Sequence, residues 1–276
     1  MHRHAIASAS LALAITALAG AALAQTPAPT PPPPEHTLTA NIGLYSEYIF
    51  RGISQTGGKP AVQGGFDYAH ASGFYAGTWA SNISWLEDFG AYSRSSLEWD
   101  FYAGYKANFG DTDFFYDVGG LYYYYPGKRL AGVVNANTFE VYGAVGWKWV
   151  SLKLSYATTD YFGARPNRDA DKTDGSIYVD LSATYPVGET GLALIGHVGH
   201  LDVRRDGNDG DASTLGKVGY TDWKLGVAYT VPEGFVKGLE VGAYYSGNNA
   251  KSRFYTDLTG YDTSKDRGVV YVKKTL

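Results

Sequence analysis

Apolar and polar positions alternate with a period of two along most of the chain, most clearly over 97–109. Leu97, Trp99, Phe101, Ala103, Tyr105, Ala107 and Phe109 fall on one side of an extended segment. Glu98, Asp100, Tyr102, Gly104, Lys106 and Asn108 fall on the other. Successive side chains of a strand point to opposite faces, so this segment has one apolar and one hydrated flank; a helix would spread the same apolar residues around its circumference. The pattern recurs over 139–148, 177–185 and 223–229, and more weakly over 38–50, 61–68, 74–82, 114–124, 152–158, 192–199, 239–245 and 268–276, which predicts twelve strands.

The connectors carry a second pattern. Short links at 70–73, 110–113, near 149–151, 186–191 and 231–238 alternate with long polar ones at 54–60, 83–95, 125–138, 159–175, 201–221 and 246–267. Nothing in a soluble sandwich demands such alternation, whereas an outer-membrane barrel has short periplasmic turns and long outer loops. The predicted fold is therefore all-β: a closed antiparallel transmembrane β-barrel of about 12 strands, with short periplasmic turns and long extracellular loops. In hydrocarbon each backbone amide needs an internal partner, so a sheet spans only when it closes on itself. The apolar flank then meets lipid and the polar flank meets the lumen. Trp79, Trp99, Trp147 and Trp223, with the many tyrosines, suit interfacial girdles. An outward lysine at mid-membrane would cost roughly 2–4 kcal/mol. Lys274, near the end of the last strand, is the one clear outward lysine of this pattern; it either snorkels to the periplasmic interface or marks a one-residue slip of phase.

Composition narrows the class further. The chain of 276 residues has no cysteine, 35 glycines and 24 tyrosines. Without cysteine there is no disulfide scaffold, zinc ribbon or thiol catalysis. A net charge of −4 with 18% charged residues lacks the basic excess of a nucleic-acid binder. The only long apolar run is N-terminal, which excludes a helical multi-span membrane protein. Residues 1–24 read as a signal peptide: Arg3 flanked by His2 and His4, an apolar stretch over 5–19, and Ala22-Leu23-Ala24 as a small-x-small cleavage pattern. Residues 25–36, with four consecutive prolines at 31–34, form a Pro-rich periplasmic tail, and 37–276 form the barrel. Cleavage leaves 252 residues, about 21 for each strand and its connector, against ~9–11 needed for a tilted spanning strand.

With these phases the lumen carries Asp67, Glu98, Asp100, Asp117, Glu140, Asp180, Asp222 and Glu240, together with Lys106, Lys148, Lys153, Lys224, Lys273, Tyr102 and His197. Eight acids against five lysines imply either a mixed-charge pore with weak cation preference or internal ion pairs that brace or partly fill the barrel. At the pore mouth, Arg51 either points inward as a selectivity group or pairs with Glu47, the favoured reading.

Catalytic and metal chemistry finds little footing. His70-Ala71-Ser72-Gly73 has the order of a lipid hydrolase His-x-Ser motif, but sits in a predicted turn and lacks the following Asn. His197 and His200 fall on opposite strand faces. Asp206-Gly207-Asn208-Asp209-Gly210-Asp211 lacks the closing Glu of an EF-hand. No cofactor or metal and no enzymatic activity are expected.

Several stretches resemble the TorF family of porin-type proteins, proteobacterial outer-membrane proteins of unestablished substrate. They are Leu44-Tyr45-Ser46-Glu47-Tyr48-Ile49-Phe50-Arg51-Gly52-Ile53-Ser54-Gln55, Pro60-Ala61-Val62-Gln63-Gly64-Gly65-Phe66-Asp67-Tyr68, and Gly73-Phe74-Tyr75-Ala76-Gly77 with Trp79. Later echoes are Ser155 to Gly163, ending Asp160-Tyr161-Phe162-Gly163, and Gly196-His197-Val198-Gly199-His200. The resemblance covers most of the mature chain and implies a β-barrel with a pore, without an assigned solute or binding residues. Outer-membrane barrels usually end in an aromatic residue; this chain ends in Leu276. The sequence thus leads to an outer-membrane porin-like channel for passive diffusion of small hydrophilic solutes or ions. Its expected partners are outer-membrane lipid, the barrel-assembly machinery and the solutes themselves. The alternatives are a closed structural or adhesive barrel and, well behind, an outer-membrane lipid hydrolase.

Overall fold

The computed structural model describes residues 34–164, 172–204 and 219–276. The signal segment, most of the proline tail and the Asp/Gly-rich stretch 206–211 lie outside the described residues.

Twelve strands form one closed antiparallel barrel. In chain order they are β1 (His36–Tyr45), β2 (Ala61–His70), β3 (Phe74–Asn82), β4 (Leu97–Asn108), β5 (Phe114–Tyr124) and β6 (Thr138–Trp147). They continue as β7 (Val150–Ala157), β8 (Ile177–Pro186), β9 (Leu192–Asp202), β10 (Tyr220–Thr230), β11 (Leu239–Asn248) and β12 (Arg267–Thr275). Every strand pairs with its neighbours in sequence. The barrel closes where β1 meets β12, with Asn41 opposite Thr275 and Tyr45 opposite Tyr271. Links such as Ala71 to Gly73 and Lys148-Trp149 gather at one end of the barrel and the long connectors at the other, as the alternation of lengths requires.

The outer wall is apolar. Leu38, Ile42, Phe66, Val118, Leu152, Leu154, Leu181, Val198, Leu225, Val227 and Val270 all stand exposed on it, Leu225 by 69%. Aromatic residues cluster toward both rims: Phe74, Tyr105, Phe109, Phe114, Tyr116, Trp147, Trp149 and Tyr185 pack ring to ring near the turn end, and Trp99-Phe101 and Tyr122-Tyr124 near the loop end. Trp79 departs from the expected girdle. It lies in the inward phase of β3 and packs against Tyr48 with ring centroids 5.5 Å apart. Lys274 keeps its outward phase, so the last strand has not slipped by one residue, and its ammonium reaches back to donate to the Lys237 carbonyl in the link before β11 at the turn end.

The glycine and tyrosine content has a shared cause inside the barrel. Tyr102 lies opposite Gly77 and Tyr75 opposite Gly104; Tyr142 lies opposite Gly119, and Tyr271 opposite Gly242. In each case a Cβ on the glycine would fall within 2.4–2.6 Å of ring or hydroxyl atoms of that tyrosine. The missing side chain lets the ring lie along the wall instead of across the lumen, the arrangement called aromatic rescue of a strand glycine.

The first strand differs from expectation. The period-two pattern predicts strand through residue 50, but β1 stops at Tyr45, and the chain turns into the barrel mouth as a small hairpin of Ile49–Phe50 against Ile53–Ser54. Arg51 and Gly52, at its tip, have φ of 46° and 76°, the paired left-handed conformations of a type I′ turn. Its alternation is real, but it belongs to two strands facing different surroundings.

A Gly77→Val substitution is expected to displace the Tyr102 ring, break its hydrogen bond to Asp67 and cost about 1–3 kcal/mol by overpacking. Urea unfolding of the refolded barrel, followed by tryptophan fluorescence, checks this.

Candidate pore lumen and constriction

Period-two alternation places Asp67, Glu98, Asp100, Tyr102, Lys106, Asp117, Glu140, Lys153, Asp180, His197, Asp222, Lys224, Glu240 and Lys273 on the inward face of their strands. Lys148 is the exception. It occupies the tight turn between β6 and β7 with φ of 51°, and its Nζ lies 3.3 Å from Asp113 in the adjacent turn. The strand ends at Trp147, one residue before the pattern would bring Lys148 to the lumen.

The hairpin from β1 fills the loop end of the lumen. Arg51 forms a bidentate pair with Glu140, Nη1 to Oε1 at 2.9 Å and Nη2 to Oε2 at 2.8 Å, and also donates to the Tyr161 hydroxyl at 3.0 Å. Its guanidinium lies 4.1 Å from the centroid of the Tyr178 ring. The expected Arg51–Glu47 pair does not form. Strand spacing would put the two side chains on one face, but the chain leaves the wall between them and separates them. Glu47 instead meets Arg267 Nε of β12 at 3.1 Å and accepts from the Tyr261 hydroxyl at 3.1 Å. Tyr48 in the hairpin and Tyr125 beyond β5 donate to the two oxygens of Glu98, each at 2.8 Å. Glu98, Glu140 and Asp222 are all at least 98% buried here, and the buried Asp100 Oδ1 has no hydrogen-bond partner among the described residues.

The long loops add an apolar cover. Ile83, Leu86 of the short helix Trp85–Asp88, Tyr92, Tyr125 and Ala136 form a buried cluster with Tyr48 and Tyr123. A cavity of about 290 Å³ lies among Phe50, Trp85, Tyr125, Phe162, Leu201 and Tyr255. In the loop between β11 and β12, partial burial pulls the Asp257 carboxyl upward, but hydrogen bonds from the Thr259 hydroxyl and from the Tyr261, Thr259 and Gly260 amides outweigh it and hold the group below its ordinary range. This compact turn presents Tyr261 to Glu47.

Below the hairpin a second cavity of about 290 Å³ is lined by Arg51, Lys153, Tyr178, Asp180, His197, Asp222 and Lys224. His197 spans two carboxylates, with Nδ1 2.9 Å from Asp180 and Nε2 2.8 Å from Asp222. Toward the turn end a third cavity of about 400 Å³ is lined by Asp67, Tyr75, Tyr102, Lys106, Asp117, Tyr142 and Lys153. Here Tyr75 donates to Asp117 at 2.6 Å and Tyr102 donates to Asp67. Lys273 pairs with Glu240 at 3.1 Å. Of these two tyrosines, Tyr102 is among the pore-lining residues the sequence predicts and Tyr75 is not; the only signal for Tyr75 is a tyrosine surplus at inward positions.

His200 sits on the outer face, with Nδ1 2.9 Å from the Thr221 hydroxyl, so it is separated from His197 as expected. At the turn end Glu35, His36 and His70 offer three ligand atoms within 4.8 Å of one another, a set able to hold a metal ion. His70 Nδ1 lies 2.7 Å from Ser72 Oγ and also accepts from the Ser72 amide at 3.1 Å, while its Nε2 lies 3.4 Å from Glu35. The Ser72–His70 contact is thus part of the turn's own hydrogen bonding.

A family model described as "Bacterial protein of unknown function (Gcw_chp)" matches residues 29–276. No curated protein matches the chain. Among solved structures, the KdgM porin is 10% identical, with 86% of this chain and 98% of that one covered at a TM-score of 0.47. The NanC porin is 11% identical, with coverage of 87% and 98% and a TM-score of 0.48. OprD from Pseudomonas aeruginosa is 16% identical, with 87% of this chain and 65% of that one covered and a TM-score of 0.38.

Removing one member of a buried ion pair leaves an uncompensated charge, so Arg51→Ala is expected to destabilise the barrel by about 3–5 kcal/mol, and Arg51→Met combined with Glu140→Leu to recover most of the loss. Urea midpoints of the three proteins in one detergent test this.

Proposed function

We propose that this chain, which belongs to the Gcw_chp family of bacterial proteins of unknown function, is a narrow porin-like channel of the Gram-negative outer membrane. It passes small hydrophilic solutes or ions by diffusion, without covalent chemistry. One observation carries the reading: a barrel with no free sheet edge is apolar on its outside and lined on its inside by charged groups around cavities of about 290 and 400 Å³. Water cannot stabilise an outer wall of this kind, whereas lipid can. The short links then face the periplasm, next to the proline tail, and the long loops face outward. The finer resemblance to TorF porin-type proteins, carried by the block 44–55, belongs to the same proposal.

The β1 hairpin makes the channel narrow. With Arg51 bound to Glu140 and Tyr48 to Glu98, the mouth is constricted from within, and the passage runs beside the hairpin rather than through an open bore. The buried pairing at this mouth also favours a second reading, a closed structural barrel.

The two are separated in planar bilayers. The purified chain is expected to give discrete conductance steps, larger in Arg51→Ala; no steps in either protein would leave the closed barrel as the better account. The membrane assignment has its own test. Leu225→Lys on the outer wall is expected to cost about 2–4 kcal/mol when the barrel folds into lipid vesicles, and an unchanged folding free energy would argue against lipid at that position.

A further inference from the structure

By number the lumen is acidic, and counting charges alone favours cations. Which polar atoms remain available is a separate matter. In the cavity below the hairpin, Asp180 is bound by His197 at 2.9 Å and accepts from Ser182 Oγ at 2.7 Å. Asp222 is bound by the other ring nitrogen of His197 at 2.8 Å and accepts from the Tyr178 hydroxyl at 3.0 Å. Arg51, which lines the same cavity from the hairpin tip, turns its fork to Glu140. Lys153 and Lys224 are different: among the described residues neither forms an ion pair, and their ammonium groups rest against aromatic rings, 3.9 Å from the Tyr142 centroid and 5.2 Å from that of Tyr244.

The carboxylates of this cavity are therefore committed, and its strongest donors are not. A solute offering a donor meets acceptors already engaged. One offering an anionic oxygen meets two ammonium groups whose present partner is a ring face, a weaker contact than a charge-assisted hydrogen bond. Lys153 also lines the next cavity toward the turn end, so it stands where the two spaces meet. In that second space Asp67 and Asp117 likewise accept from tyrosine hydroxyls.

We propose that Lys153 and Lys224 form a binding station for a small solute carrying an anionic oxygen group, a carboxylate or a phosphate. The passage of that solute rests on the channel reading, but its binding does not. The test is isothermal titration of the full chain, folded in an uncharged detergent, with succinate, inorganic phosphate and, as a cation of similar size, ethylenediammonium. Saturable binding of at least one anion and none of the dication is expected, and which anion binds identifies the group recognised. Lys153→Gln combined with Lys224→Gln is expected to weaken that binding about tenfold, the loss of a charged hydrogen bond, with folding verified by heat-modifiable gel migration. Preference for the dication, no anion binding, or an affinity unchanged in the folded variant would overturn the proposal. If the double variant fails to fold, Lys224→Gln alone and the comparison of succinate with the dication on the native chain still decide it. Channel steps without anion binding would sink this station and leave the channel standing; anion binding without steps would do the reverse.

Discussion

The structure depends first on closure of the sheet. Each barrel strand has a hydrogen-bonding partner on both sides, and the pairing of β1 with β12 removes both edges an open sheet would have had. An open edge in a low-dielectric medium leaves a row of unpaired amides at several kcal/mol each, so a twelve-stranded sheet with an apolar outside has a closed solution and no stable open one. Closure then fixes everything else by parity. Once one side chain of a strand faces outward, its neighbours face the lumen, and β1 through β12 inherit inside and outside from the same alternation.

Closure also sets the packing problem inside. Around the cavities of the lumen, polar groups find their partners along the wall. Tyrosine solves this: its ring lies over a glycine on the adjacent strand, and its hydroxyl reaches a carboxylate two strands away, as Tyr75 does for Asp117 and Tyr102 for Asp67. The pairing of an amphipathic ring with a missing side chain keeps carboxylates satisfied while leaving the space between the walls unfilled. The Tyr142 ring serves a further purpose, since it carries the ammonium of Lys153.

At the loop end the problem is solved in the opposite way, by filling. The β1 hairpin brings a guanidinium to Glu140 and a hydroxyl to Glu98, and the loops beyond cover them with aromatic residues. Buried ion pairs add little net stability over apolar packing, yet they discriminate strongly against any arrangement in which one partner is missing. Here that property favours a single position for the hairpin. Among the described residues Asp100 Oδ1 has no hydrogen-bond partner, although Asp100 is itself buried in the same part of the lumen as Glu98 and Glu140.

Parity, strand number and the short–long alternation of connectors were legible in the sequence, because they follow from local geometry: a strand alternates whatever its neighbours are, and a turn is short wherever it is read. The inward phase of Asp67, Glu98, Lys153, His197 and Lys224 followed from the same rule. Pairings across the barrel did not. Arg51 and Glu47 are close in sequence and look like partners, but where β1 stops and turns inward is decided by Glu140, Tyr161 and Tyr178, which lie far along the chain. Trp79 and Lys148 failed for local reasons instead. Trp79 shares the inward phase of Tyr75 and Gly77 and so meets the hairpin rather than an outer girdle, and Lys148 lies one residue beyond the end of its strand. Local sequence determined which face each residue takes. Only the closed tertiary structure decided which groups meet across the lumen, because those distances do not exist until the last strand has joined the first.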